Sequence, residues 1–93
     1  MCGEKVWVVS FYAGWAKSSR EATHVAKKVA AKTKVTYSQV DFDKNPQLRK
    51  AYGVESLPTI LIFGKDSRPI KVTGVRSPSG LEKKLVEEIG KAG

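Results

Sequence analysis

Between residues 6 and 33 the hydrophobic period changes, and that change restricts the fold more than any other feature of the chain. In "EKVWVVSFYAGW", Val6, Val8 and Ser10 alternate with Trp7, Val9 and Phe11, so apolar groups point to both faces. A strand of that kind suits the interior of a parallel sheet covered on each side. Over residues 17–32 the pattern turns helical. Ala22, Val25, Ala26, Val29 and Ala30 recur at i, i+3, i+4, i+7 and i+8, and Lys17, Arg20, Lys27, Lys28 and Lys32 fall outside that stripe. The β-branched and aromatic run "KVTYSQVDF" predicts a second strand at 34–42. Two strands separated by one helix of this length form a βαβ crossover with adjacent parallel strands.

The remainder extends the same alternation. "DKNPQLRKAYGV" predicts a short helix capped by Asn45, with Pro46 at its first position and Gly53 ending it. Strand-like runs at 59–63 and 69–75 flank "GKDSR", a hairpin connection carrying Gly and Asp. In "SPSGLEKKLVEEIGKAG", Leu81, Leu85, Val86 and Ile89 mark one helical face, with Ser77 as cap and Pro78 in the first turn. Ser18 or Ser19 is expected to cap the first helix, with Glu21 in its first turn. The order is βαβαββα, a single domain over 1–93 without repeat or linker.

Charge and cysteine content bound the chemistry. The 93 residues carry a net charge of +8, which steers acidic partners toward the chain. Lys17, Arg20, Lys27 and Lys28 line the first helix as a solvated face or as a surface for an acidic protein. Nucleic acid is disfavoured as a partner, because no aromatics interleave with these cations. With 41% hydrophobic and 28% charged residues the chain reads as soluble and globular. The longest apolar run, at 6–9, is far short of the ~20 residues that cross a bilayer, so no membrane association is expected. No signal peptide is evident at the start. Cys2 is the only cysteine, so the chain has no internal disulfide and no cysteine-based metal site. No cofactor is expected, and the polar edge of the second strand predicts a monomer.

Four strings carry a resemblance. "VWVVSFYAGW" resembles the strand entering the active site of thioredoxins and protein disulfide isomerase domains. "VDFDKNPQLRKAYGV" and "ESLPTILIF" are similar to the segment that runs through their cis-proline, and "VTGVRSPSGLEKKLVEEI" to their last strand and helix. The resemblance implies an α/β, minimal thioredoxin-like fold: a four-stranded mixed sheet in order 2-1-3-4 with helices on both faces. The first strand and helix of a full thioredoxin have no counterpart here. The expected core comprises Val8, Phe11, Val25, Val29, Val40, Ile60, Ile62, Leu81 and Leu85.

In that family the tryptophan precedes Cys-x-x-Cys at a helix N-terminus, where dipole and amides stabilise a thiolate. Here Trp15 is followed by Ala16, Lys17, Ser18 and Ser19, and Ala16 and Ser19 stand where the resemblance implies the two thiols. Alanine has no nucleophile, and a serine hydroxyl forms no disulfide. The family's buried carboxylate corresponds to Ser10, its partner lysine to Gln39, and its mid-helix proline to His24, which reads as a surface residue. The resemblance also implies that Pro58 is cis and that Trp15, Leu57, Pro58, Gly74 and Val75 frame a peptide groove.

Two functions follow from the sequence. One is a redox-inactive domain of chaperone or adaptor type that holds a polypeptide in that groove. The other is a thiol–disulfide oxidoreductase inactivated in this chain or dependent on Cys2, with a designed minimal scaffold as a further possibility. A complete chain implies the cytoplasm; a fragment of a disulfide isomerase-like protein implies the endoplasmic reticulum.

Overall fold

The computed structural model describes residues 6–64, 69–74 and 77–92. Cys2 and Val75 lie outside them. The elements run β1 (Trp7–Tyr12), α1 (Lys17–Thr33), β2 (Thr36–Asp41), α2 (Pro46–Ala51), β3 (Thr59–Phe63), β4 (Ile70–Thr73) and α3 (Pro78–Ala92). They form one sheet in the order β2-β1-β3-β4. β1 pairs parallel to β2 and antiparallel to β3, and β3 pairs antiparallel to β4. This is the architecture expected from the sequence.

Register places the core. Val8 lies between Tyr37 of β2 and Ile62 of β3, and Ser10 between Gln39 and Ile60. Val8, Ile60, Ile62 and Val72 therefore share the face that packs against Val25 and Val29 of α1 and Leu81, Leu85 and Ile89 of α3. Removing a side chain such as Leu85, fully buried here, costs about 2–5 kcal/mol in such a core. On the other face a smaller cluster joins Phe11, Ala13, Phe42, Val54 and Leu61.

That second face departs from the expectation of cover on both sides. α2 is six residues long and buries none of its own side chains. Trp7 stays 49% exposed, and Val9 and Val40 are only half-buried, so Val40 is not the core residue its sequence pattern suggests. Two features hold α2 against the sheet: an edge-on contact between Tyr52 and Phe63, with centroids 5.5 Å apart, and the Arg49 guanidinium 3.8 Å over the Phe42 ring.

Helix ends differ from the sequence expectations in instructive ways. Ser77 does cap α3, its Oγ accepting from the Gly80 amide at 3.1 Å. Neither Ser18 nor Ser19 caps α1; the cap position is Ala16, without a side-chain bond. Glu21 falls beyond the first turn. Asn45 occupies the cap position of α2, but its amide donates to the Asp41 carbonyl instead. Gly53, at φ 65°, ends α2 with its amide on Lys50 and the Val54 amide on Arg49. The end of α1 repeats that arrangement with Lys34 at φ 61°, the Lys34 amide on Ala31 and the Val35 amide on Ala30. The second strand accordingly starts at Thr36 rather than at residue 34.

On α3, Val86 is exposed, against expectation, because it sits ~100° around the helix from Leu85. The buried stripe is instead Leu81, Leu85, Glu88, Ile89 and Ala92. Glu88 tolerates that position because Lys84 Nζ lies 2.9 Å and Lys91 Nζ 3.8 Å from Oε2. The Lys84 hydrogen bond outweighs desolvation and holds the carboxyl below its usual range.

Three outcomes are expected. A lysine in the left-handed region is strained where glycine is not, so Lys34→Gly should stabilise the chain by about 0.5–1 kcal/mol in urea denaturation; a loss of stability would refute the strain. At Gly64 a Cβ would meet the backbone and side chain of Ala92, so Gly64→Ala should destabilise by about 1–3 kcal/mol, read in the same assay. Glu88 is more acidic in the folded than in the unfolded chain. Its contribution is therefore present above its ordinary value of 4.5 and lost as pH falls through the folded-state value. Glu88→Gln should be less stable than the parent near neutral pH, with the gap closing in acid; a gap that widens in acid would contradict the ion pairing.

Candidate functional site

The junction of β1 and α1 is built by a turn and one serine. The Ala16 amide donates to the Ala13 carbonyl at 3.1 Å, which folds the chain back after β1 and leaves Ala16 extended at φ −107°. Ser19 then falls on the buried stripe of α1 and is fully enclosed. Its Oγ accepts from the Ala13 amide at 3.1 Å and donates to the Ala16 carbonyl at 2.8 Å, with the Ala13 carbonyl at 3.3 Å. The position implied for the second thiol thus serves as an internal brace. That explains why it is no helix cap: the helical period turns it inward.

Trp15 stands beside this brace, 69% exposed. Its indole Nε1 donates to Asp43 Oδ2 at 2.7 Å, and its ring meets Phe42 edge-on at 6.4 Å. Asp43 sits in the turn after β2, where Asp41 Oδ1 accepts the amides of Asp43 and Lys44. A large aromatic surface is therefore held in one orientation in water.

The Leu57–Pro58 peptide is cis. Pro58 is buried, and it lines a narrow crevice with Ser18, Ala22, Gly74 and Pro78. The start of α1, the loop before β3 and the end of β4 therefore meet at this crevice, whose lining includes neither Trp15 nor Leu57. Gly74 contributes at φ 94°, a conformation that side chains resist. The Leu57 side chain is half-buried on the Phe11–Phe42 cluster, and Ala16 packs on the same cluster. Val75, expected on this rim, lies outside the described residues.

Below the junction runs a polar seam that the sequence did not disclose as a unit. Ser10 is fully buried, and its Oγ lies 2.8 Å from Thr23 Oγ1 of α1. The Tyr37 hydroxyl donates toward the Thr23 carbonyl at 3.3 Å and Gln39 Oε1 at 3.1 Å. Burial pushes the Tyr37 phenol up to about 12. Ser10 and Gln39 are register partners, so the positions matching the family's carboxylate and lysine are adjacent but uncharged. Thr23 and Tyr37 went unnoticed in the sequence; their signal is the i+4 step from Ser19 and the strand pairing, which only the fold reveals.

On the outer side of α1, Lys17, Arg20, His24 and Lys27 are exposed. Lys28 is drawn to α3, with its Nζ 3.8 Å from Glu82, and Lys32 lies 3.5 Å from the same carboxylate. The cationic surface nearest the junction is thus Lys17 and Arg20, which flank a shallow hollow with Glu21, His24 and Pro78. Among the described residues, no group of three or more His, Cys, Asp or Glu could hold a metal, and no helix is long and apolar enough to cross a membrane.

Comparisons with known proteins agree with this geometry. The Thioredoxin family model matches residues 2–87. The chain is 33% identical over 89 residues to protein disulfide-isomerase like 2-2 of Arabidopsis thaliana, an alignment covering 92% of this chain and 20% of that protein. It is 32% identical over 88 residues to the thioredoxin of Alicyclobacillus acidocaldarius, covering 91% and 83% respectively. Among solved structures, the thioredoxin of Fasciola hepatica superimposes with a TM-score of 0.77 at 26% identity, covering 96% of this chain and 82% of that one. The chain spans about a fifth of the length of the plant disulfide-isomerase relatives it matches. By family model, fold and strand order, the chain belongs to the thioredoxin family, with Ala16 and Ser19 at the ends of its Ala-Lys-Ser-Ser junction.

Proposed function

We propose that this domain has no dithiol redox activity and binds an extended polypeptide across the surface framed by Trp15, the Leu57–Pro58 loop and Gly74. The observation that carries this reading is the contrast at the junction. Trp15 is exposed and held by Asp43, whereas Ala16 supplies no nucleophile and Ser19 Oγ is consumed by three backbone groups. A hydroxyl so engaged, with no base on it, does no nucleophilic chemistry near neutral pH. An oriented, exposed tryptophan beside a loop able to pair with an extended strand is instead a recognition surface.

Charge supports an acidic segment as the partner. Lys17 and Arg20 border the platform, Lys27 continues the cationic line along α1, and Lys28 adds to it while sharing Glu82. Exposed charges of this kind act mainly on encounter rate and salt dependence. The buried Ser10–Thr23 pair accords with the same reading. A carboxylate at Ser10 would have to be desolvated against α1, and only a proton-transfer role would justify that cost of several kcal/mol.

The test is a calorimetric titration of the chain with an acidic extended peptide, alongside a disulfide reduction assay. Trp15→Ala should weaken binding tenfold or more, about 1.5–3 kcal/mol, with little change in Tm because the ring is mostly solvated. Reversing Lys17 and Arg20 to Glu should weaken it further at low salt than at high salt. No insulin reduction should exceed the uncatalysed rate. Reduction that Cys2→Ser abolishes would overturn the reading in favour of a thiol–disulfide enzyme.

A further inference from the structure

The Phe42 ring is shared by two side chains from different elements. Trp15 meets it edge-on with centroids 6.4 Å apart, and the Arg49 guanidinium lies 3.8 Å over its centre. Both contacts are to one ring, so Arg49 Cζ is no more than about 10 Å from the centre of the Trp15 ring. Arg49 is half-buried, and its Nε is enclosed without a hydrogen-bond partner. Among the described residues no carboxylate forms an ion pair with it, whereas Lys28, Lys32, Lys84 and Lys91 all have such partners. The acids flanking Phe42 are engaged elsewhere: Asp41 holds the Asp43 and Lys44 amides, and Asp43 holds the Trp15 indole. A cation partly removed from water and left unpaired carries a cost that an incoming anion offsets.

We propose that Arg49 receives a carboxylate side chain of the bound polypeptide, two residues along from the one that packs on Trp15, a placement that rests on the polypeptide reading above. Stacking on Phe42 occupies the flat face of the guanidinium and leaves its N–H groups for an acceptor in its own plane. With Nε enclosed, the two Nη groups are the ones that meet the carboxylate. The backbone beneath is tied on both sides: the Arg49 amide donates to the Asn45 carbonyl at 3.1 Å, and the Val54 amide to the Arg49 carbonyl at 2.8 Å. A cation held by its backbone and by a ring has less freedom to lose on binding than a solvated lysine.

The surroundings fix both sign and spacing. Arg49 lines an open hollow with Pro46, Lys50, Gly53, Val54 and Glu55. Lys50 and Glu55 are exposed and of opposite sign, so Arg49 sets the net charge of the hollow. Val54 and Leu57 belong with Phe42 to one cluster, which joins this hollow to the loop before Pro58. In an extended chain, residues i and i+2 share a face roughly 6.8 Å apart, and a glutamate stem spans the remainder. A residue six positions along lies ~20 Å away, twice the gap between the two side chains.

The probes are two extended peptides of about 14 residues with the same composition, each carrying one phenylalanine and two glutamates among serines and threonines. In one the glutamates stand two residues before and after the phenylalanine, which serves either chain direction; in the other they stand six away. Equal charge cancels the general attraction of Lys17 and Arg20. By calorimetry the near peptide should bind at least about fivefold tighter than the far one, with the margin shrinking at high salt. Arg49→Met keeps an apolar stem on Phe42 without the charge, and should cut the margin below about twofold with little change in Tm. In the isotope-labelled parent, the Arg49 Nε–H resonance should move with the near peptide and not with the far one, a readout that stands even if the variant unfolds. Equal binding of the two peptides, a margin that survives Arg49→Met, or a still Nε–H signal would overturn the assignment to Arg49. If Trp15→Ala then weakens both peptides alike, the polypeptide reading stands without it. Binding of neither peptide up to ~1 mM would overturn both.

Discussion

The structure depends on β1 being paired on both sides. Its parallel register with β2 and antiparallel register with β3 place Val8 and Ser10 toward α1 and Trp7, Val9 and Phe11 away from it. Because side chains alternate with a period of two, a slip of one residue would exchange those sets. Ser10 would then leave its Thr23 partner, and Phe11 would be driven into the face already filled by Val25 and Val29. Everything that follows, including where Trp15 emerges, is referred to this strand.

At its end, β1 meets α1 through Ser19, and the chemistry of the junction follows from that contact. In a dithiol site the helix N-terminus stabilises a thiolate that must be reachable. Here the corresponding atom is a hydroxyl buried among the Ala13 and Ala16 backbone groups. A buried hydroxyl with its hydrogen bonds made is a stabilising element, because leaving those backbone groups unpaired costs about 1–3 kcal/mol each. Ser19 thus braces the start of α1, next to Trp15.

The two faces of the sheet are unequally served. Seventeen residues of α1 and fifteen of α3 cover one side, whereas the six residues of α2 only graze the other. Edge-on aromatic and cation–π contacts hold α2 in place, each worth roughly a kcal/mol, far less than the burial that fixes α1 and α3. The second face therefore keeps apolar surface in contact with water, with Trp7, Leu48 and Tyr52 exposed.

Much of this was legible in the chain itself. The helical stripe at Ala22, Val25, Ala26, Val29 and Ala30, the strand–helix alternation and the Pro58 loop express local periodicity and turn chemistry, which need no tertiary partner to be read. The absence of a dithiol follows from counting cysteines. Cap assignments failed at Ser18 and Ser19, and Asn45 takes the cap position without a capping bond, because a hydroxyl or amide chooses among several backbone partners, and only the fold decides which is in reach. Val86 gave way to Glu88 because the position of lysines one turn away on either side made a buried carboxylate tolerable. The Ser10–Thr23–Tyr37 seam joins residues distant in the chain, so no local pattern announces it. Val40 reads as core from its alternation, yet alternation only says which face a side chain takes. What covers that face is a property of the assembled layers, and here a helix too short to cover it left Trp7 and its neighbours open.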